Sequence, residues 1–259
     1  METEISEFSY MEAVGDIYII GGEIRSNSEG YLSYSKKAFA LNDHECRELN
    51  PMNNGRCGHR LNYIKRTSDN LHSEHLIIAT GSKYPEDNSS NTEVYNIVED
   101  KWINGPEMRS SRFHHTSVVV AEQILYVVGG RHAVNEKKTL DSIEKLDFSV
   151  EEPSWVIINF SFTDTFWTPR DTPGAFVVDD KEIVIFGGNH GWQSECFIYN
   201  IAKDEIKRSD QYLKKAEEFI HAQPCEYKGK IYIIGGCDKD IHIYLKHKWY
   251  LMEKDFIEW

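Results

Sequence analysis

The sequence predicts an all-β protein: a five-bladed β-propeller with four antiparallel strands per blade. Three observations carry this. Apolar runs at 17–20, 76–79, 125–128, 183–186 and 231–234 each lead into glycine, as Gly21-Gly22, Thr80-Gly81, Gly129-Gly130, Gly187-Gly188 and Gly235-Gly236. The last glycines, at 22, 81, 130, 188 and 236, are 59, 49, 58 and 48 residues apart, and a period near 50 built on strand-like runs points to a propeller rather than a helical solenoid. Between the runs lie short alternating segments and turn residues, enough for three further strands per repeat.

The repeat between Gly81 and Gly130 shows the elements most clearly. Residues 82–90 hold Pro, Asp, Asn and Ser, which is turn chemistry. Residues 92–96 alternate polar and apolar, as in a half-buried strand. Val98, Glu99 and Asp100 turn the chain, and Lys101, Trp102 and Ile103 form a short strand that Asn104-Gly105-Pro106 breaks. Residues 113–120 form the next strand, and Glu122-Gln123 turns it into the run at 125–128. Labelled a to d from the axis outward, the glycine-ended runs are strand b, apolar on both faces because each sheet is sandwiched between two others. The blades are expected at 5–52, 53–108, 109–168, 169–213 and 214–259 of one domain. A closed ring is expected. The rival arrangements are an open ring and one that borrows a blade from another chain.

In this repeat Tyr95-Asn96 follows the glycines, Trp102 comes seven residues after Tyr95, and Arg112 opens the next innermost strand before Gly129-Gly130. Together these residues resemble the kelch repeat. The pattern recurs as Phe39 to Leu41, Leu146-Asp147 with Trp155, Tyr199-Asn200, and Tyr250-Leu251 with Trp259. Thr80 takes the place of a first glycine. The resemblance implies a propeller that acts as an adaptor or scaffold. Some kelch-like propellers instead isomerise or oxidise sugars.

Lys and Arg total 29 against 42 Asp and Glu, a net charge of −13 that disfavours nucleic acid as a partner. No apolar stretch is long enough to span a bilayer. The start, Met-Glu-Thr-Glu-Ile, does not read as a secretory signal. Five cysteines without a CxxC read as thiols of a cytoplasmic protein.

Antiparallel order places the start of strand a beside the end of strand b, so both ring one mouth of the channel. Counting 17 back from the first glycine gives Arg112, Arg170 and Glu218, with Arg56 as the counterpart in the second repeat. Just after the glycines come Arg131, His132 and His190. These residues form the candidate partner-binding set. Arginine forks grip carboxylates, so the expected ligand is a protein partner, with an acidic peptide segment as the specific hypothesis. The alternative is that the arginines hold loop carbonyls and nearby acids. Neighbouring His114 and His115 point to opposite faces of a strand and cannot chelate together. No metal, cofactor or catalytic motif is expected. A sugar isomerase would need Glu218 with Arg112 or His190 as its acid–base pair. Phe162, Phe166 and Trp167 form an aromatic loop that could anchor a partner.

Overall fold

The computed structural model describes residues 3–26, 32–68, 72–83, 90–135, 138–162, 167–188, 195–210, 224–234, 241–245 and 248–252. Among these, every regular element is a strand. Four sheets have four strands in chain order, and a fifth has the same order plus one added edge strand. Sheet 1 runs Ser9–Ala13, Asp16–Ile20, Ala38–Leu41, Cys46–Leu49. Sheet 2 runs Arg60–Ser68, His72–Thr80, Thr92–Asn96, Lys101–Asn104. Sheet 3 runs Thr116–Val120, Ile124–Val128, Ile143–Asp147, Trp155–Ile157. Sheet 4 runs Gly174–Val178, Glu182–Phe186, Phe197–Asn200, Glu205–Arg208, with Ser161–Phe162 added in parallel at its edge. Sheet 5 runs Pro224–Tyr227, Lys230–Ile234, Ile241–Leu245, Lys248–Met252.

Each glycine-ended run is the second strand of its sheet. The runs of sheets 2, 3 and 4 are apolar on both faces because each joins two cores. Four hydrophobic clusters link the sheets in series. Tyr18, Ile20 and Ala40 meet Ile77, Ala79 and Trp102 between sheets 1 and 2. Ile78 and Val94 meet Val127 and Trp155 between sheets 2 and 3. Tyr126 and Ile143 meet Ile183 and Tyr199 between sheets 3 and 4. Phe176 and Phe186 meet Ile233 and Tyr244 between sheets 4 and 5. The first strands of sheets 1 to 5 lie side by side in the same series.

Among the described residues no core joins sheet 5 back to sheet 1, so the expected closure is not seen there. Tyr10 and Ile17 on the outer face of sheet 1 are 53% and 49% exposed, and Tyr250 on the outer face of sheet 5 is 50% exposed. Tyr10 stands in register with Ile19 and Phe39, and Tyr250 with Ile243, Tyr232 and Cys225. Both end faces of the stack are therefore apolar.

Three local expectations shift. The strand expected over 113–120 is interrupted because His114 has φ +52°, leaving Arg112–Phe113 and Thr116–Val120 as separate strands. The strand expected to be half-buried, Thr92–Asn96, is buried from Thr92 through Tyr95, because Arg56 supplies a charge partner for Glu93. In the last repeat, Ile241–Leu245 is the third strand and Tyr250 belongs to the fourth; register pairs Ile231 with Tyr244, not Tyr250.

A candidate functional site where the sheets converge

The segments entering the first strands meet the loops leaving the second strands. Phe113 pairs with Arg131, and Ser6 with Glu23. The expected gathering of these segments at one end is thus present in the backbone. A chain of main-chain hydrogen bonds fixes it. Gly58 N–H donates to Glu7 C=O at 3.1 Å, His114 N–H to Gly58 C=O at 2.8 Å, and Thr172 N–H to His114 C=O at 2.8 Å. All four residues are left-handed, with φ between 52° and 60°. Glycine does this without strain, whereas Glu7, His114 and Thr172 do it at a cost of order 1 kcal/mol each. Each sits two residues beyond the position that opens its repeat: Ile5, Arg56, Arg112 and Arg170.

Those arginines do not line the mouth. Arg56, Arg112 and Arg170 are wholly buried. Arg56 donates to Gly81 O at 3.0 Å and, through Nε and Nη2, to Glu93 Oε1 at 3.1 and 3.0 Å. Arg112 donates to Gly129 O at 2.8 Å, to Ser142 Oγ and to Glu144 Oε1. The two carboxylates also accept loop N–H groups, Glu93 from Asn53 and Asn54, Glu144 from Arg109 and Ser110. Burial lowers both guanidinium pKa values, and each carboxylate opposes the shift. Arg170 keeps the carbonyl contact, to Gly187 O at 2.6 Å, but has an aromatic ring where the acid would be. It lies 4.7 Å over Phe197 and 5.7 Å over Trp167. Burial lowers its pKa to about 10. As a partner-binding set these three arginines are therefore misplaced: they clamp each sheet to its own entry loop, with no surface left to offer.

Of the remaining expected site residues, Arg131 and His132 reach the surface. Arg131 Nε donates to Asp171 Oδ2 at 2.6 Å. His132 Nδ1 accepts Asn135 N–H at 3.2 Å, and burial, then Lys138 and Arg112, lower its pKa. His190 and Glu218 lie outside the described residues. Of the aromatic loop, Trp167 is core, donating to Asp141 O at 2.6 Å; Phe162 is exposed, and Phe166 lies outside the described residues.

The mouth is mixed in charge rather than cationic. Glu7 lies 3.5 Å from His114 Nε2, and Asp171 Oδ1 lies 3.9 Å from His114 Nδ1. Glu23 pairs with Arg25 at 2.8 Å. Glu7, Glu23 and Cys57 bring three ligand-type atoms within 4.8 Å of one another. Burial, then Glu7 and Glu23, push the Cys57 thiol up to about 12, so it stays protonated at neutral pH.

Below the mouth, His59 and His115 are buried against the glycines of the preceding sheet, and Thr80 Oγ1 lies 3.0 Å from His115 Nε2. Burial, then Arg56 and Arg60, depress His59 to about 3; burial, then Arg112 and Arg60, depress His115 strongly. Native histidines that refuse a proton make the unfolded chain the better proton acceptor below its pKa of about 6.5. Stability is therefore expected to be full above pH 6.5 and to fall as pH drops toward 3, by about 1.4 kcal/mol per pH unit per histidine. Urea midpoints at pH 7.5, 6, 5 and 4 should show this slope, and His59→Gln should make it shallower.

No protein-family model matches the chain, and no curated protein matches its sequence. Among solved structures 258 chains match. One, the structure of YjhT, superposes with a TM-score of 0.71 over 96% of this chain and 84% of its own, at 11% identity. At that identity the likeness concerns the fold alone. No helix among the described residues is long and apolar enough to cross a membrane.

Proposed function

We propose that the chain is a five-bladed, kelch-type β-propeller acting as a non-catalytic protein-interaction module, and that its partner docks between sheets 1 and 5. The exposed apolar end faces carry this reading: Tyr10 and Ile17 on one side, Tyr250 on the other. Large exposed apolar faces mark interaction sites, whereas the described residues of the mouth are charged groups in pairs such as Arg131 with Asp171 and Arg25 with Glu23. The acidic-peptide form of the reading loses its support, because three of its arginines are buried.

The partner we assign is a β-sheet about one repeat long, apolar on both faces. Its length comes from the comparison. The matched 96% of 259 residues is about 249, which is 84% of about 296, so about 47 residues of that solved structure lie outside the match, a number near one short repeat of this chain.

Cross-linking tests the reading. Cys225 is exposed on the outer face of sheet 5, and Tyr10→Cys places a thiol on sheet 1; Cys46→Ser and Cys237→Ser remove competitors. Packed sheets lie about 10 Å apart, so a gap one sheet wide spans about 20 Å. Bis-maleimides of about 20 Å are expected to join the two thiols within one chain, and those of about 10 Å are not. Joining by the short reagent would mean that the ring closes on itself. Joining between chains would make a second copy the occupant. Either result refutes the assigned partner.

A further inference from the structure

The cavity lined by the first strands of sheets 2 to 5 has a volume of about 300 Å³, at the lower end of the range for ligand pockets. Its wall includes Thr116, Ser117, Phe176 and Glu226. It also includes Arg60, the first residue of the first strand of sheet 2. The register gives Arg60 its surroundings. Arg60 pairs with Thr80, and the residues at the same level in the other sheets are Ser9, Thr116 and Gly174, opposite Ile20, Val128 and Phe186. All three are small, so in sheets 1, 3 and 4 no long side chain stands at the level of Arg60; the sheet 5 position, Gln223, lies outside the described residues.

Arg60 differs from the three arginine clamps. Its Nε donates to His115 O at 2.9 Å. Its two terminal nitrogens take no protein acceptor and no carboxylate lies within ion-pair distance, among the described residues. Glu226 shares the cavity wall without pairing with it. The flanking His59 and His115 are neutral or cationic in every protonation state, so neither can serve as a counter-ion. Burial lowers the Arg60 pKa to about 10, opposed only by Tyr10, so the group is still charged at neutral pH. Arg60 is half-buried rather than sealed like the three clamps, so its charged, unpaired end is open to the cavity and available to an anion supplied from outside. The open end of the guanidinium is a two-donor fork, the shape that carboxylates match.

We propose that this cavity is a binding site for a small organic carboxylate, with Arg60 as the residue that grips it. The ligand's carboxylate sits on the Arg60 fork, the Ser117 hydroxyl is at hand for its polar edge, and the wall at Phe176 takes its apolar body. The site is independent of the gap between sheets 1 and 5 and stands or falls separately from the partner proposed there.

Benzoate is a suitable probe and benzamide its neutral control, with thermal unfolding and calorimetric titration of the full chain as readouts. Benzoate is expected to raise the Tm and to titrate at one site, while benzamide does neither, because a ligand that binds only the native state stabilises it. Arg60→Met should lose the benzoate response while keeping or raising its own Tm. Arg60→Lys should retain a response at least tenfold weaker in Kd. Equal responses to benzoate and benzamide, no response to either, or a full benzoate response in Arg60→Met would each overturn the proposal. Should Arg60→Met fail to fold, the benzoate–benzamide contrast on the native chain decides alone.

Discussion

Gly81→Ala is expected to destabilise the protein by about 3 kcal/mol or more, lowering Tm by roughly 6–12 °C. Gly81 has φ +72°, and a Cβ there would sit 2.4 Å from the Arg112 carbonyl oxygen and 2.7 Å from the His115 ring. Both obstacles belong to sheet 3 and its entry loop, so neither can yield without parting two sheets. Ser82 N–H donates to that same Arg112 carbonyl at 3.0 Å, and the contact would be pushed apart as well. Gly15 is the control. It has φ +83° but nothing within 4 Å of an added Cβ, so Gly15→Ala should cost only the backbone term, about 1 kcal/mol. Paired denaturant melts of the two variants separate close approach from conformational preference. Equal losses would refute the close-approach account.

Arg112→Met is expected to cost about 3–5 kcal/mol, because it strands a buried carboxylate. Glu144 would keep only the N–H groups of Arg109 and Ser110. Restoring charge balance by Arg112→Met with Glu144→Leu should recover a large part of that loss, though those two N–H groups then lose their acceptor. The same change at Arg170 should be far milder, under about 1.5 kcal/mol. Arg170 faces rings rather than an acid, and its Nε and Nη2 make no hydrogen bond, so a methionine forfeits one carbonyl contact and the cation–π contacts. Tm measurements on the three variants test the ranking. Equal effects at 112 and 170 would mean that the carboxylate is not what the buried charge requires.

These outcomes bear on how the repeat is read. Spacing makes Gly81 the second glycine of its pair, with Thr80 in place of the first. The structure aligns it differently. Gly81 O accepts from Arg56 as Gly129 O does from Arg112 and Gly187 O from Arg170, so Gly81 is the first glycine and Ser82 replaces the second. The second-position N–H groups of Gly22, Ser82 and Gly130 donate to the carbonyls of Arg56, Arg112 and Arg170. A serine can make that bond as well as a glycine can. Similarly, the third strand of the last repeat was displaced because counting from the glycines assumes a loop of constant length, while cross-strand pairing selects Tyr244.

Arg60 carried no signal in the sequence. It stands outside the recurring arginine position, and only the small residues at its level in neighbouring sheets reveal the space it faces. The uncovered end faces were equally hidden, since the run at 17–20 is as apolar as the run at 125–128, which is covered on both sides.

By itself the sequence determined the β architecture, the five-fold repeat and the second strand of every sheet, because a period-2 strand and its glycine stop are written within a dozen neighbouring residues. Only the tertiary structure decided which way the arginines face. Their depth depends on a left-handed residue two positions on and on an acid 32 to 37 residues away, which is Glu93 for Arg56, Glu144 for Arg112, and the Phe197 ring in place of an acid for Arg170. A buried charge follows its partner, and that partner is chosen by strand pairing rather than by nearness along the chain.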